Sequence, residues 1–251
     1  MTMKTTIYII LLALIVAMPL EADLHTLDSL LITGDYRHAR LALQSDPDLL
    51  MDPASYNYYL GRISQSADSA ASFFTQALQF DPRFARADTA LFMLSQFRYL
   101  EGYYQTAQKY LSQLISVYPN SKLISQANFW LGRSCLSQKD YTAALNIFNR
   151  LAKSGAREGV DPGTFSLARS EAYQGLGQYS QSFAILKQML DQSGSSIDRE
   201  TILVRMENCV VLSKDPALKK LYYQLTDGPV VSPDSIALAG SSLSGGGSAA
   251  G

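Results

Sequence analysis

The chain has 251 residues, of which 47% are hydrophobic and only 17% are charged, and its formal net charge is −1. This composition is typical of a globular protein with room for one or two domains and a sizeable core. The near-neutral charge argues against nucleic acid as a partner, because proteins that bind it present a basic face. It also gives no reason to expect binding to a strongly anionic membrane surface.

The first segment, MTMKTTIYIILLALIVAMPLEADLHT, has the pattern of a secretory signal peptide. Lys4 supplies a positive charge before an unbroken apolar run from Ile7 to Met18. Pro19 ends this run, and Ala22 offers a small residue at a plausible cleavage point. The run is too short for a stable transmembrane anchor, although a retained short hydrophobic anchor is the alternative. We therefore expect residues 1–22 to be a signal peptide and the protein to be periplasmic if its source is a bacterium with two membranes.

After this segment, apolar residues recur at spacings of three and four, which indicates helices with one buried face. Asp81-Pro82 and Tyr118-Pro119-Asn120 end two of these helices, because proline cannot continue a helix. The pattern predicts twelve helices, at residues 24–33, 36–45, 54–64, 67–80, 83–99, 103–118, 121–137, 140–153, 163–175, 179–193, 197–212 and 215–225. No strand is convincing, and GPVVSP at 228–233 is the best candidate.

A ten-residue pattern recurs along these helices, with the core Gly-x-Tyr-x-x-Ala-x-x-x-Leu. Its copies are GDYRHARLAL at 34–43, GYYQTAQKYL at 102–111, KDYTAALNIF at 139–148 and GQYSQSFAIL at 177–186. The glycine permits the positive φ that a tight turn needs. The tyrosine can fill the open end of a helical hairpin, and the alanine lets two helices cross closely. Each copy therefore predicts the turn and the second helix of one hairpin.

These repeats predict an all-α fold. One hairpin cannot bury both of its faces, so several must stack to form a continuous core. We expect an α-solenoid of about five to six helical hairpins, wound as a right-handed superhelix, over residues 23–225.

The pattern resembles the tetratricopeptide repeat (TPR) family. YYLG at 58–61 and FWLG at 129–132 look like the signature of its first helix, and FDP at 80–82 and VYP at 117–119 look like its closing proline. The resemblance covers residues 24 to about 193, with a step of 37–38 residues between copies against a usual ~34. It implies a scaffold that binds other proteins.

The segment from Ser116 to Leu151, SVYPNSKLISQANFWLGRSCLSQKDYTAALNIFNRL, is similar to repeats of bacterial envelope proteins. Similar units occur in the periplasmic Tol-Pal coordinator and in the lipoprotein of the outer-membrane β-barrel assembly machine. This chain lacks the coiled-coil start of the first and the lipid-bearing cysteine of the second. The resemblance therefore implies a compartment and a scaffold role, and no particular machine.

The family resemblance also implies a binding groove lined by the first helix of each unit. Aromatic side chains beside arginine suit peptide capture, because they combine stacking area with a fork-shaped donor for carboxylates or carbonyls. The alternative is that the aromatic rings only pack between neighbouring helices. The predicted groove residues are Tyr58, Arg62, Phe92, Gln96, Tyr99, Phe129, Arg133, Glu171 and Gln174.

The residues of a catalytic or metal site are not recognisable. His25 and His38 lie thirteen residues apart near the expected mature start, and surface positions explain them better than a catalytic pair. Cys135 and Cys209 have no ligand spacing, so they are expected to be buried thiols, with a disulfide as the alternative. The glycine-rich SGAREGVDPG at 154–163 lacks the lysine and the strand of a phosphate site. We expect no cofactor, no metal and no enzymatic activity.

From Thr226 onwards serine and glycine dominate, and charge vanishes after Asp234. This composition predicts a flexible tail or linker at 226–251, and whether a further domain follows it stays open. The leading hypothesis is a periplasmic scaffold for envelope proteins or peptides. The alternative is a structural accessory of the cell wall that associates with peptidoglycan, and the least favoured is a cryptic hydrolase.

Overall fold

The computed structural model describes residues 24–155, 158–192 and 196–226, which form thirteen α-helices and no strand. The helices are α1 (Leu24–Thr33), α2 (Tyr36–Ser45), α3 (Pro47–Met51), α4 (Pro53–Arg62), α5 (Ala67–Phe80), α6 (Ala87–Leu100), α7 (Tyr104–Val117), α8 (Ile124–Ser137), α9 (Tyr141–Ser154), α10 (Pro162–Gly175), α11 (Tyr179–Asp191), α12 (Arg199–Ser213) and α13 (Pro216–Leu225). The predicted all-α fold of paired helices is confirmed. The predicted signal peptide, the strand candidate at 228–233 and the tail beyond Thr226 lie outside the described residues.

One helix, α3, is absent from the prediction. The carboxylate of Asp46 accepts hydrogen bonds from the backbone N–H of Asp48 at 3.0 Å and of Leu49 at 3.1 Å. Pro47 occupies the first helical position, where the missing N–H costs nothing. Five residues are too few for an apolar period to be visible, so only the capping residues signal this helix.

Most predicted helix starts agree within two residues, and the two larger differences are at α6 and α8. Helix α6 begins at Ala87 instead of residue 83, because the Asp81 carboxylate accepts a hydrogen bond from the Arg83 N–H at 2.8 Å and holds a turn there. Helix α8 begins at Ile124 instead of residue 121. The turn before it contains a 3.0 Å hydrogen bond from the Ser121 N–H to the Tyr118 carbonyl.

The described residues fall into two compact units, and the first ends at Ser134, inside α8. In this first unit α1 packs on α2, α4 on α5, α5 on α6 and α6 on α7. A continuous apolar cluster extends from Leu27 in α1 to Leu94 in α6 and includes the fully buried Phe74. Burying a ring of this size stabilises the fold by about 1.5–3 kcal/mol relative to exposure.

The small residues of the repeat lie at the helix crossings. Ala39, Ala70 and Ala107 are 0%, 5% and 0% exposed, each on the second helix of its hairpin. In the second unit Ala144 and Ser182 occupy the same position, and both are 0% exposed. The prediction that this position needs a small side chain is confirmed by its burial in each hairpin that carries the pattern.

The hairpin turns use the left-handed backbone region. Gly102 has φ of +83°, as the repeat pattern predicts. Lys139 takes the same place in KDYTAALNIF and has φ of +62°, which costs a side-chain-bearing residue more than it costs glycine.

The second unit begins at Cys135. In it α9 packs on α10, α10 on α11, α11 on α12 and α12 on α13. Phe183, Leu186, Met206 and Cys209 are buried together between α11 and α12. Cys135 and Cys209 are both buried and are not joined by a disulfide, so the prediction of buried thiols is confirmed.

Candidate functional site

Three of the predicted groove aromatics are core residues. Tyr58, Phe92 and Phe129 are 1%, 6% and 8% exposed. The Tyr58 ring lies 5.1 Å from the Tyr59 ring and 5.8 Å from the Phe74 ring, measured between centroids. The expectation that these three rings are exposed is therefore wrong. They pack between neighbouring helices, which was the alternative interpretation.

Arg62 lies one helical turn after Tyr58 on α4 and is half-buried. Its Nη1 donates a hydrogen bond to the Tyr58 hydroxyl at 2.8 Å, and its guanidinium carbon lies 5.8 Å from the centre of that ring. Burial raises the pKa of Tyr58 above its ordinary value, so this hydroxyl stays neutral. No residue in the described part of the chain forms an ion pair with Arg62. A neutral group therefore fixes the guanidinium without cancelling its charge.

A neighbouring charge cluster joins α1, α4 and the start of α6. The Asp28 carboxylate forms an ion pair with Arg86 and accepts a hydrogen bond from the Tyr59 hydroxyl at 3.2 Å. Burial and the nearby Asp28 charge raise the pKa of Tyr59 well above its ordinary value. The negative charge of Asp28 is thus held by Arg86, and it forms no ion pair with Arg62.

Asp28 was not predicted as a site residue, although a sequence signal for its position was present. Asp28, Arg62 and Gln96 stand at equal steps of 34 residues, and Arg133 follows Gln96 after 37. A polar residue at the same place in successive first helices marks a shared surface row. Gln96 is half-buried, and its side chain has no hydrogen-bond partner among the residues that the structure describes.

A second cluster brings Tyr99 and Arg133 together. Arg133 Nη2 donates to the Tyr99 hydroxyl at 3.4 Å, and Arg133 also has no ion-pair partner within the described ranges. The Tyr99 ring lies edge-on to Trp130 at 5.1 Å and to Tyr104 at 5.2 Å. Trp130 was not predicted as a site residue, although its neighbour Phe129 in FWLG was.

The two predicted residues of the second unit differ. Glu171 is half-buried, and no described residue pairs with it. Gln174 Nε2 donates to Ser182 Oγ at 3.1 Å and to Cys209 Sγ at 3.2 Å. Ser182 stands where other hairpins have alanine, so its buried hydroxyl needs a partner, and Gln174 provides one. Gln174 thus links α10 to α11 and α12, and its assignment to the groove stays a prediction.

The remaining candidates are surface residues. His25 and His38 are exposed, and His38 Nδ1 lies 2.7 Å from Asp35 Oδ2 at the start of α2. Over the described ranges, no three His, Cys, Asp or Glu side chains cluster as they would around a metal ion. Among those residues there is likewise no helix whose length and apolarity would let it span a membrane.

Comparison with known families identifies one repeat directly. The family model of the tetratricopeptide repeat matches residues 89–121, which cover most of α6, all of α7 and the turn that closes the unit. The resemblance to this family is confirmed by that match. No curated protein matches the chain.

Solved structures share the fold. PilF of Pseudomonas aeruginosa is 17% identical, with a TM-score of 0.56, and the match covers 86% of this chain and 95% of PilF. MamA of AMB-1 is 19% identical, with a TM-score of 0.52 over 70% of this chain and 92% of that one. A further MamA structure is 16% identical, with a TM-score of 0.51 over 64% and 85%. At these identities the similarity establishes the paired-helix repeat fold.

Proposed function

Because the chain carries a tetratricopeptide repeat at residues 89–121 and shares its fold with PilF over 86% of its length, we propose that it is a non-enzymatic scaffold that binds proteins or peptides in the bacterial cell envelope. The observation that carries this proposal is the pair Arg62 and Arg133. Each is a half-buried guanidinium that contacts a tyrosine hydroxyl and has no carboxylate partner among the described residues.

These two arginines are suited to binding because they are held in place while keeping free donors. A guanidinium has about five N–H donors in a fixed plane, and Arg62 uses one of them on Tyr58. Carboxylates and carbonyls match this plane with two parallel hydrogen bonds. The hydrogen bonds to tyrosine already restrict these two arginine side chains in the unbound protein, so binding a partner costs less side-chain entropy.

Gln96 belongs to the same row. It lies on α6, which is between the helices of Arg62 and Arg133 in the sequence. Its amide can both donate and accept, so it can pair with a peptide backbone group. A row of arginine, glutamine and arginine on successive first helices favours an extended acidic or polar segment as the partner. We keep Phe92 and Phe129 as supports of these helices, since their rings are buried.

The compartment is part of the proposal. Lys4 and the apolar run from Ile7 to Met18 favour export, with residues 1–22 as a signal peptide, 23–225 as the repeat domain and 226–251 as a flexible tail. Mass spectrometry of the protein from fractionated bacteria tests this, and we expect a mature N-terminus at Asp23 in the periplasmic fraction. Recovery of the uncleaved chain from the cytosol would refute it.

Binding is tested by crosslinking and capture from native envelopes. The double variant Arg62→Ala with Arg133→Ala should lose most of the captured protein, whereas Arg37→Ala, an exposed arginine on α2, should not. Circular dichroism verifies that the variants are folded. Undiminished capture by the folded double variant would reject the proposed surface, and retention by purified peptidoglycan alone would support the cell-wall alternative.

A further inference from the structure

Helix α12 has an exposed apolar face, formed by Val204, Val211 and Leu212. These side chains are 52%, 64% and 56% exposed. Val204 and Val211 are two helical turns apart and Leu212 follows directly, so the three lie on one side of the helix. In the described part of the second unit, every large apolar side chain with such exposure belongs to this face.

The opposite side of α12 is part of the core. Ile202, Met206 and Cys209 are 2%, 0% and 0% exposed and pack with the buried residues of α11. The helix is therefore apolar on two opposite sides, a pattern typical of helices that are covered on both. The last hairpin of a repeat stack usually has a polar outer surface, because no further repeat covers it. The exposed face of α12 thus lacks a cover among the described residues.

Helix α13 does not cover this face, but it brings the following chain close to it. The apolar residues of α13 lie half-buried against the core cluster of α11 and α12. At its end, the Leu225 carbonyl accepts a 3.3 Å hydrogen bond from Nη2 of Arg199, the first residue of α12. The chain after Thr226 therefore continues from the start of α12. Val204 lies five residues further along that helix, or about 7.5 Å.

The sequence just after this point contains two apolar groups. Residues 229–239, PVVSPDSIALA, form what we call the tail segment, with Val230-Val231 as the first group and Ile236-Ala237-Leu238 as the second. From the end of α13 to the first group is five residues, which reach about 17 Å when extended. The first group can therefore reach Val204.

The spacing of the two groups also suits the length of the exposed face. Val204 and Val211 are separated by seven helical residues, or about 10.5 Å. The six residues from Val230 to Ile236 span up to about 20 Å, which leaves room for the bend at Pro233. A segment running along α12 in the same direction as the helix therefore places one apolar group at each end of the face.

The charges match in the same direction. Arg205 is half-buried at the edge of this face, and no described residue forms an ion pair with it. Asp234 stands between the two apolar groups of the tail segment. With the first group at Val204, the Asp234 carboxylate comes within reach of the long Arg205 side chain, where a charge-assisted hydrogen bond can form.

We infer that the tail segment binds to the exposed face of α12 in the same chain. The first apolar group packs on Val204, the second packs on Val211 and Leu212, and Asp234 pairs with Arg205. A second copy is a weaker competitor, because a short tether gives the tail segment an effective concentration of the order of mM. The serine- and glycine-rich residues from Gly240 onwards then form the flexible part of the predicted tail.

Photocrosslinking of the full chain tests this inference. Val204→p-benzoylphenylalanine introduces a reactive ring at an exposed position, and mass spectrometry identifies the peptide to which it links. We expect a link to residues 229–239 of the same chain, with a yield that does not depend on protein concentration. Lys220→p-benzoylphenylalanine, at an exposed position of α13, is the control and should not link to the tail segment.

Variants of the tail segment separate the apolar contacts from the charge. Ile236→Ser together with Leu238→Ser should abolish the link, whereas Ser241→Ala together with Ser242→Ala, outside the segment, should retain it. Asp234→Arg should lower the yield, and adding Arg205→Asp to it should restore the yield by reversing the pair. Circular dichroism verifies that each variant is folded.

Three outcomes would overturn the inference: no link from position 204 to residues 229–239, a link that persists in the folded double serine variant, or a link to another chain. A mixture of isotope-labelled and unlabelled chains detects the third, which would identify a second copy as the occupant. Failure of the reversed charges to restore the yield would refute the ion pair. The proposed function is tested separately, because its two arginines lie on α4 and α8.

Discussion

The ring of Tyr141, at the start of α9, lies against Gly175, the last residue of α10, so closely that a Cβ at position 175 would overlap the ring. The hairpin tyrosine of one repeat thus packs on the end of the first helix of the next. In this hairpin the contact gives Tyr141 its physical role, since the ring rests on a neighbour that has no side chain.

Gly175→Ala should therefore destabilise the second unit by about 1–3 kcal/mol, because the added methyl group forces the ring to move. Urea unfolding measures the change. In a Tyr141→Ala background the same substitution should cost much less, and this difference is the coupling energy of the pair. Equal costs in the two backgrounds would show that the ring does not cause the effect.

The left-handed residue Lys139 offers a stabilising substitution. Its φ of +62° lies in a region that costs a side-chain-bearing residue about 1–2 kcal/mol. Lys139→Gly should raise the free energy of unfolding by about 0.5–1 kcal/mol after the extra chain entropy of glycine is subtracted. Thermal unfolding of Lys139→Gly and Lys139→Ala separates backbone strain from loss of the charge. Stabilisation by alanine as large as by glycine would contradict the backbone explanation.

Ala107 marks a close helix crossing on α7. It is 0% exposed, so Ala107→Leu adds volume where the helices already touch. We expect a loss of about 1–3 kcal/mol of unfolding free energy, or more if the helices separate. Gln105→Leu, at an exposed position of the same helix, is the matched control and should change the stability by less than ~0.5 kcal/mol.

Acid sensitivity should depend on Asp161, which caps α10. Hydrogen bonds from Ser196 Oγ at 2.5 Å and from the Thr164 N–H at 2.7 Å lower the pKa of Asp161 below its ordinary 3.8. A carboxyl with a lowered folded pKa stabilises the fold above pH 3.8, and this contribution is lost as the pH falls through the folded pKa.

Asp161→Asn should consequently lower stability at pH 6 and lose less stability than the unsubstituted chain between pH 4 and pH 2. Urea midpoints across this range measure the effect. Glu158→Gln, which replaces an exposed acid near the same helix, is the control. If Asp161→Asn loses as much stability between pH 4 and pH 2 as the unsubstituted chain does, protonation of Asp161 does not contribute to acid unfolding.

The repeat pattern predicted most of the fold because helical periodicity and turn glycines are local signals. Twelve of the thirteen described helices follow from it. Helix α3 was not predicted because Asp46 and Pro47 specify it by capping its start, and it has no apolar periodicity to recognise. The late start of α6 depends on a side-chain contact of Asp81, which the apolar pattern does not encode.

The candidate site was harder to predict, because position on a helix does not give the exposure of a ring. Tyr58 and Arg62 are one turn apart, yet the ring is 1% exposed and the guanidinium is half-buried. Which of the two faces outward depends on Phe74, Phe84 and other residues distant in sequence. Likewise, the pairing of Asp28 with Arg86 spans 58 residues and appears only once the hairpins are stacked.

The buried thiol of Cys209 can be used to detect transient opening of the second unit. This thiol is 0% exposed and lies 3.4 Å from Ser182 Oγ in a crossing between helices. An alkylating reagent reacts with the thiolate and needs access to it, so modification must wait until α11 and α12 separate. The rate of that reaction, followed by mass spectrometry, would therefore measure the rate at which these two helices separate, and no engineered label is needed.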